Sequence, residues 1–124
     1  MSTVIVVNDE PRILEMVRSL LEEAGHCVRP FAHGPEALVA LGGARADLII
    51  TDATNHPMSG VEFVRRLRHL ADVPVIFLSA WAQEVQEELR GTDFEAQGYI
   101  DLPFSTQQLL EDVKTVLTHR PGRK

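Results

Sequence analysis

At 124 residues the chain is one domain in length, and its 44% hydrophobic residues are enough for a core. Eighteen acidic against twelve basic residues give a net charge of -6, which argues against direct nucleic-acid binding because phosphate contacts need a basic face, and instead suits a basic partner surface or a cation. No apolar run approaches the ~20 residues of a membrane helix, and Met-Ser-Thr ahead of Val4–Val7 carries no basic leader, so neither a membrane span nor a secretory signal is expected.

Thr3–Val7 is apolar after its first residue and rich in β-branched side chains, which predicts a strand buried on both faces. Asp9-Glu10-Pro11 opens a helix with an acidic cap and an early proline, and Ile13, Leu14, Val17, Leu20, Leu21 and Ala24 follow at helical spacing up to the terminating Gly25. His26–Arg29 predicts a weaker strand, with the single cysteine, Cys27, as a small buried hydrophobe at its start. Gly34–Leu41 predicts a short helix. The five histidines (His26, His33, His56, His69, His119) show no paired ligand spacing, so structural zinc is not expected.

Asp47–Thr51 predicts a second buried strand ending at Asp52. Ser59-Gly60-Val61-Glu62 is a capping box for a helix carrying Val61, Phe63, Val64, Leu67 and Leu70. Val73–Leu78 predicts a third buried strand, Gln83–Arg90 a polar helix with Val85 and Leu89 on one side, and Ala96–Ile100 the last strand. Ser105 caps a final helix in a second capping box with Gln108, and Leu109, Leu110, Val113, Val116 and Leu117 form its inner stripe. Residues 1–119 read as the domain and 120–124 as a basic tail or the start of a linker.

Five successive βα units predict an α/β domain with a single five-stranded parallel sheet and helices on both faces. Such sheets place their sites beyond the C-terminal strand ends. Asn8 and Asp9 follow the first strand, Asp52 the third, Ser79 and Ala80 the fourth, Leu102 and Pro103 the fifth. If those four strands are neighbours, two carboxylates, an amide and a hydroxyl converge, and hard oxygen ligands of this kind suit Mg²⁺. A carboxylate beside a divalent cation can act as a nucleophile toward phosphorus, with Asp52 the best candidate.

In this order and spacing, Asn8-Asp9, Asp52, Met58-Ser59-Gly60, Ser79-Ala80, Tyr99 and Leu102-Pro103-Phe104 resemble the receiver domain of two-component response regulators, over essentially the whole chain. The resemblance implies the (βα)5 flavodoxin-like receiver fold and a cytoplasmic phosphorelay module. It implies Asp52 as phosphoacceptor, and Mg²⁺ held by Asp9, Asp52 and the Thr54 backbone carbonyl, with Asn8 acting through a water. Ser79 would bond the phosphoryl group, and Tyr99 would rotate inward as a switch. The implied partners are a histidine kinase or histidine phosphotransfer protein and a downstream output domain or protein. The face made by the fourth helix, fifth strand and fifth helix would be open to a homodimer.

Two positions depart from that pattern. Asn8 replaces the first of two acids, which predicts weakened Mg²⁺ binding, and Leu102 replaces a lysine that pairs with the phosphoryl group. The family pocket of three carboxylates and one ammonium carries a formal -2, and Asp9 with Asp52 alone also carry -2. His56, in a loop whose proline is shifted to Pro57, is a candidate for the missing cation. The competing reading is a pseudo-receiver that docks partners without phosphorylation. Turnover enzymes fit poorly: aspartate phosphohydrolases need a second Asp where this chain has Thr54, and nucleotide binders need a Gly-rich loop where it has Asn8-Asp9-Glu10-Pro11. Trp81 offers a fluorescence reporter.

Overall fold

The computed structural model describes residues 2–54 and 57–118. The elements in order are β1 (Thr3–Val7), α1 (Pro11–Glu23), β2 (Cys27–Phe31), α2 (Gly34–Leu41), β3 (Leu48–Thr51), α3 (Gly60–Leu67), β4 (Val75–Ser79), α4 (Ala82–Leu89), β5 (Gly98–Asp101) and α5 (Thr106–Thr118). All strand pairs are parallel and the sheet order is β2-β1-β3-β4-β5. The expected α/β architecture is therefore present. β1, β3, β4 and β5 lie side by side, which was the condition for the strand-end residues to converge.

Strand alternation builds two cores, one on each face of the sheet. Ile5, Val7, Ile49 and Phe77 pack with Phe63, Val64 and Leu67 of α3 and with Val85 and Leu89 of α4. Val4, Val6, Ile50, Ile76, Leu78 and Ile100 pack with Val17 and Leu21 of α1 and with Leu109 and Val113 of α5. The continuous apolar runs of β1, β3 and β4 follow from this double cover: nearly every residue faces a helix.

Helix ends are set locally. The Ser59 hydroxyl accepts from the Glu62 amide at 3.1 Å and the Ser105 hydroxyl from the Gln108 amide at 2.9 Å, as both capping boxes predict. Gly25, with φ +98, lets the chain leave α1 in a conformation that a side chain would strain. α1 is capped by Glu10, whose carboxylate accepts from the Arg12 amide at 3.2 Å, so Asp9 lies outside the cap.

Three expectations are corrected. Cys27 is exposed, because β2 is an edge strand and its first residue lies clear of the covering helices. Leu70 is also exposed: α3 stops at Leu67, where the Arg68 guanidinium turns to donate to the Val73 carbonyl at 2.7 Å. Several boundaries move by one or two residues, as in β2, β4, α4 and β5. Among the described residues no helix is long and apolar enough to cross a membrane.

Candidate functional site

The sheet order reverses direction at β1, between β2 and β3, and in open parallel sheets that reversal opens a crevice beyond the strand ends. The last β1–β3 pair is Val7 with Thr51, and the Asp52 amide still donates to the Val7 carbonyl at 3.2 Å. Asn8 and Asp52 thus stand one residue beyond the paired ends of adjacent strands. Asn8 is only 2% exposed. Its backbone amide donates to the Phe31 carbonyl at 3.1 Å, and its Oδ1 accepts from the Glu10 amide at 2.8 Å. The second bond closes an Asx turn, the local bond that asparagine side chains favour, and bends the chain from β1 into α1. Asp9 is carried on that turn and is half-buried.

Asp52 is half-buried at the end of β3, and its Oδ1 accepts from the Thr54 amide at 3.3 Å. The Thr51 hydroxyl donates to the Asp52 carbonyl at 3.1 Å, and the Gly60 amide to the Ala53 carbonyl at 2.9 Å. These bonds tie the strand end to the start of α3. Gly60 has no room for a side chain: a Cβ there would lie 2.2 Å from the Asp52 carbonyl oxygen and 2.9 Å from both the Ala53 Cα and the Phe77 ring.

Ser79 ends β4 and is fully buried, its Oγ accepting from the Trp81 amide at 3.0 Å. Among the described residues its hydroxyl proton is given to no acceptor, which leaves it for a ligand oxygen. Trp81 is 54% exposed at the start of α4, which suits a reporter. The Tyr99 ring stacks on Phe77 with centroids 5.8 Å apart, and its hydroxyl accepts from the Ala96 amide at 2.9 Å. Tyr99 is therefore half-buried and held against the core. Asp101 turns toward α4, where its Oδ2 accepts from the Gln83 side chain at 3.3 Å, as strand alternation predicts.

Leu102 donates its amide to the Ser79 carbonyl at 3.2 Å and precedes a cis bond to Pro103. Its side chain packs with Phe104 against the core beneath α1 and α5. With Ile13, Met16, Pro103 and Phe104 it lines an apolar groove of about 520 Å³. The position where the receiver pattern has a lysine is here part of an apolar surface. His56 lies outside the described residues.

Among the described residues no three His, Cys, Asp or Glu side chains gather as a metal cluster. Any cation here would rely on two carboxylates supplemented by backbone oxygen. That is a donor set of the type Mg²⁺ takes while keeping several waters. Sequence reasoning missed two features. The closeness of Gly60 to Asp52 has no local signal. The lock on Asn8 did have one, because an asparagine two residues before a helix cap is a common Asx-turn pattern.

A family model described as the response regulator receiver domain matches residues 4–114. The phosphate regulon transcriptional regulatory protein PhoB of Rhizobium meliloti is 36% identical over 117 residues, covering 92% of this chain and 51% of that protein. The sensory transduction protein RegX3 of Mycobacterium tuberculosis is 30% identical over 117 residues, covering 94% of this chain and 51% of that protein. The chain thus spans about half the length of these curated relatives. Among solved structures, the receiver domain of a signal transduction histidine kinase from Syntrophus aciditrophicus superposes with a TM-score of 0.85 at 28% identity, covering 100% of this chain and 96% of that one.

Proposed function

Because the chain belongs to the response regulator receiver family, whose model spans residues 4–114, we propose that it accepts a phosphoryl group on Asp52 from a histidine kinase or histidine phosphotransfer protein and passes the signal to an output domain or partner. The observation that carries this reading is the placement of Asp52 at the β1/β3 reversal, one residue beyond its last pair with β1 and beside the turn that bears Asp9.

In the transfer, an Asp52 carboxylate oxygen bonds to phosphorus as the phosphorus–nitrogen bond to the donor imidazole breaks, the electron pair leaving with the imidazole. Asp9, Asp52 and the Thr54 carbonyl would hold Mg²⁺, with Asn8 contributing through a water at most; the ion supplies charge neutralisation for the transferring group. With one acid fewer than the family pattern, its affinity is weakened. The Ser79 hydroxyl donates to a phosphoryl oxygen once its loop moves inward. Tyr99 responds by changing its packing against Phe77 and so alters the face formed by α4, β5 and α5, which an output domain or a second copy can occupy. The chain works in the cytoplasm as a phosphoacceptor, not as a turnover enzyme.

One observation favours the second reading, a pseudo-receiver. Leu102 offers the phosphoryl group no cation and is packed into an apolar surface. Incubation with Mg²⁺ and acetyl phosphate, read by intact mass, separates the two readings. A phosphoryl adduct that is absent in Asp52→Asn supports phosphorylation. No adduct under saturating donor leaves the pseudo-receiver.

A further inference from the structure

Among the described residues Asn8 holds the most buried side-chain amide at the strand-end crevice, and only half of that amide is used. The Oδ1 atom is committed to the Glu10 amide at 2.8 Å. That bond also fixes the orientation of the group, because reversing it would set the Asn8 NH₂ against the Glu10 N–H, donor against donor. The Nδ2 atom therefore occupies the other corner of the plane. Among the described residues it meets no hydrogen-bond acceptor, although Asn8 is only 2% exposed. Buried donors without a partner are rare and call for an explanation.

Position supplies one. On β1, Val4 and Val6 face the core beneath α1 and α5 while Ile5 and Val7 face the other; on β3, Ile50 faces the first and Ile49 the second. Carried one residue past the Val7–Thr51 pair, this alternation puts Asn8 and Asp52 on the same side of adjacent strands, about 5 Å apart across the sheet. A phosphoryl group on Asp52 would bring acceptor oxygens and roughly two negative charges beside Nδ2.

We infer that the Asn8 side-chain amide binds the phosphoryl group: with Oδ1 held by the β1–α1 turn, Nδ2–H donates to a phosphoryl oxygen on Asp52. The inference rests on the proposed phosphorylation of Asp52 and deepens it. The position that elsewhere in the family supplies an acid toward the metal here supplies a donor toward the anion. This fits a chain whose Leu102 gives that anion no cation, since a neutral donor offsets part of the loss without adding negative charge.

Two measurements on the whole chain test it. In the first, ¹⁵N-labelled protein is titrated with beryllofluoride, a stand-in for the phosphoryl group, in the presence of Mg²⁺. The Asn8 side-chain NH₂ pair is identified by its disappearance in Asn8→Asp. It should move downfield on adduct formation and should not move in Asp52→Asn. In the second, Asn8→Asp keeps the acceptor for Glu10 and so the turn. It should bind Mg²⁺ more tightly by Trp81 fluorescence, yet take phosphoryl from acetyl phosphate at least about tenfold more slowly by intact mass.

An Asp52-dependent adduct that leaves the Asn8 NH₂ pair unmoved overturns the inference while leaving the receiver reading intact. The inference fails in the same way if the Asn8→Asp rate falls without movement of that pair in the wild type, since charge alone would then account for the rate. Equal rates in wild type and Asn8→Asp also overturn it. Absence of any adduct in the wild type overturns both readings together.

Discussion

Replacing Gly60 by alanine tests whether the site is built by close backbone approach. Gly60 needs no left-handed conformation; what it lacks is space. The added Cβ would meet the Asp52 carbonyl oxygen at 2.2 Å, the Ala53 Cα at 2.9 Å and the Phe77 ring at 2.9 Å. Two of these neighbours are backbone and the third belongs to a fully buried ring, so none can swing aside as a surface side chain would. Relief requires the start of α3 to move off β3 by more than 1 Å or so. That strains the Gly60–Ala53 bond of 2.9 Å and the Ser59 cap. Overpacking of this kind costs about 1–3 kcal/mol, and the better helix propensity of alanine returns under about 1 kcal/mol. A net loss of about 1–2 kcal/mol is expected, or about 3–10 °C in the melting temperature for a chain of this size. Urea denaturation followed by circular dichroism measures it, with Gly43→Ala as control, since nothing lies within 4 Å of a Cβ there. Because the displaced backbone carries Asp52, the acetyl phosphate adduct should also form more slowly in native buffer. If Gly60→Ala unfolds within about 0.5 kcal/mol of wild type and Gly43→Ala does not differ from it, the close-approach argument is wrong.

Further outcomes follow from the same contacts. Leu102→Lys can lay its stem along the Ile13–Met16–Phe104 groove and place an ammonium near Asp52, so stability should change by no more than about 1 kcal/mol while adduct formation quickens. Combined with Asn8→Asp, it should accelerate phosphorylation by more than the product of the two single effects, because each variant alone unbalances the charge of the pocket; rates for the four proteins of the cycle decide this. Ser79→Ala leaves the Trp81 amide without its acceptor, so about 1 kcal/mol should be lost and the Trp81 emission should shift. Tyr99→Phe removes the acceptor for the Ala96 amide but keeps the stacking on Phe77; a loss of about 1 kcal/mol in chemical denaturation is expected, against a larger loss for Tyr99→Ala.

Much of this protein was legible because its elements are defined by short-range patterns. The buried runs Val4–Val7 and Leu48–Thr51, the capping boxes at Ser59 and Ser105, and the terminating Gly25 each specify their element through contacts within a few residues. Element order then implied a parallel sheet, and the strand ends singled out Asp9, Asp52, Ser79 and Leu102. Chain-order reasoning could not decide which strands are neighbours. That depends on how two helical layers close over both faces, and the order β2-β1-β3-β4-β5 puts β2 at an edge, where Cys27 is exposed instead of buried.

The finer geometry of the site belongs to tertiary structure alone. Ser79 makes a local bond to the Trp81 amide two residues on, but its complete burial at the end of β4 is set by the helices that cover the sheet. Gly60 is forced by Asp52 and Phe77, neighbours in space that no local pattern announces. Asn8 joins both kinds of information. Its Asx turn is encoded by residues 8–10, whereas its place next to Asp52, one residue past the Val7–Thr51 pair, exists only because β1 and β3 pair in register. Local hydrogen bonds and hydrophobic period are written along the chain; contacts between strand ends arise only when the sheet assembles.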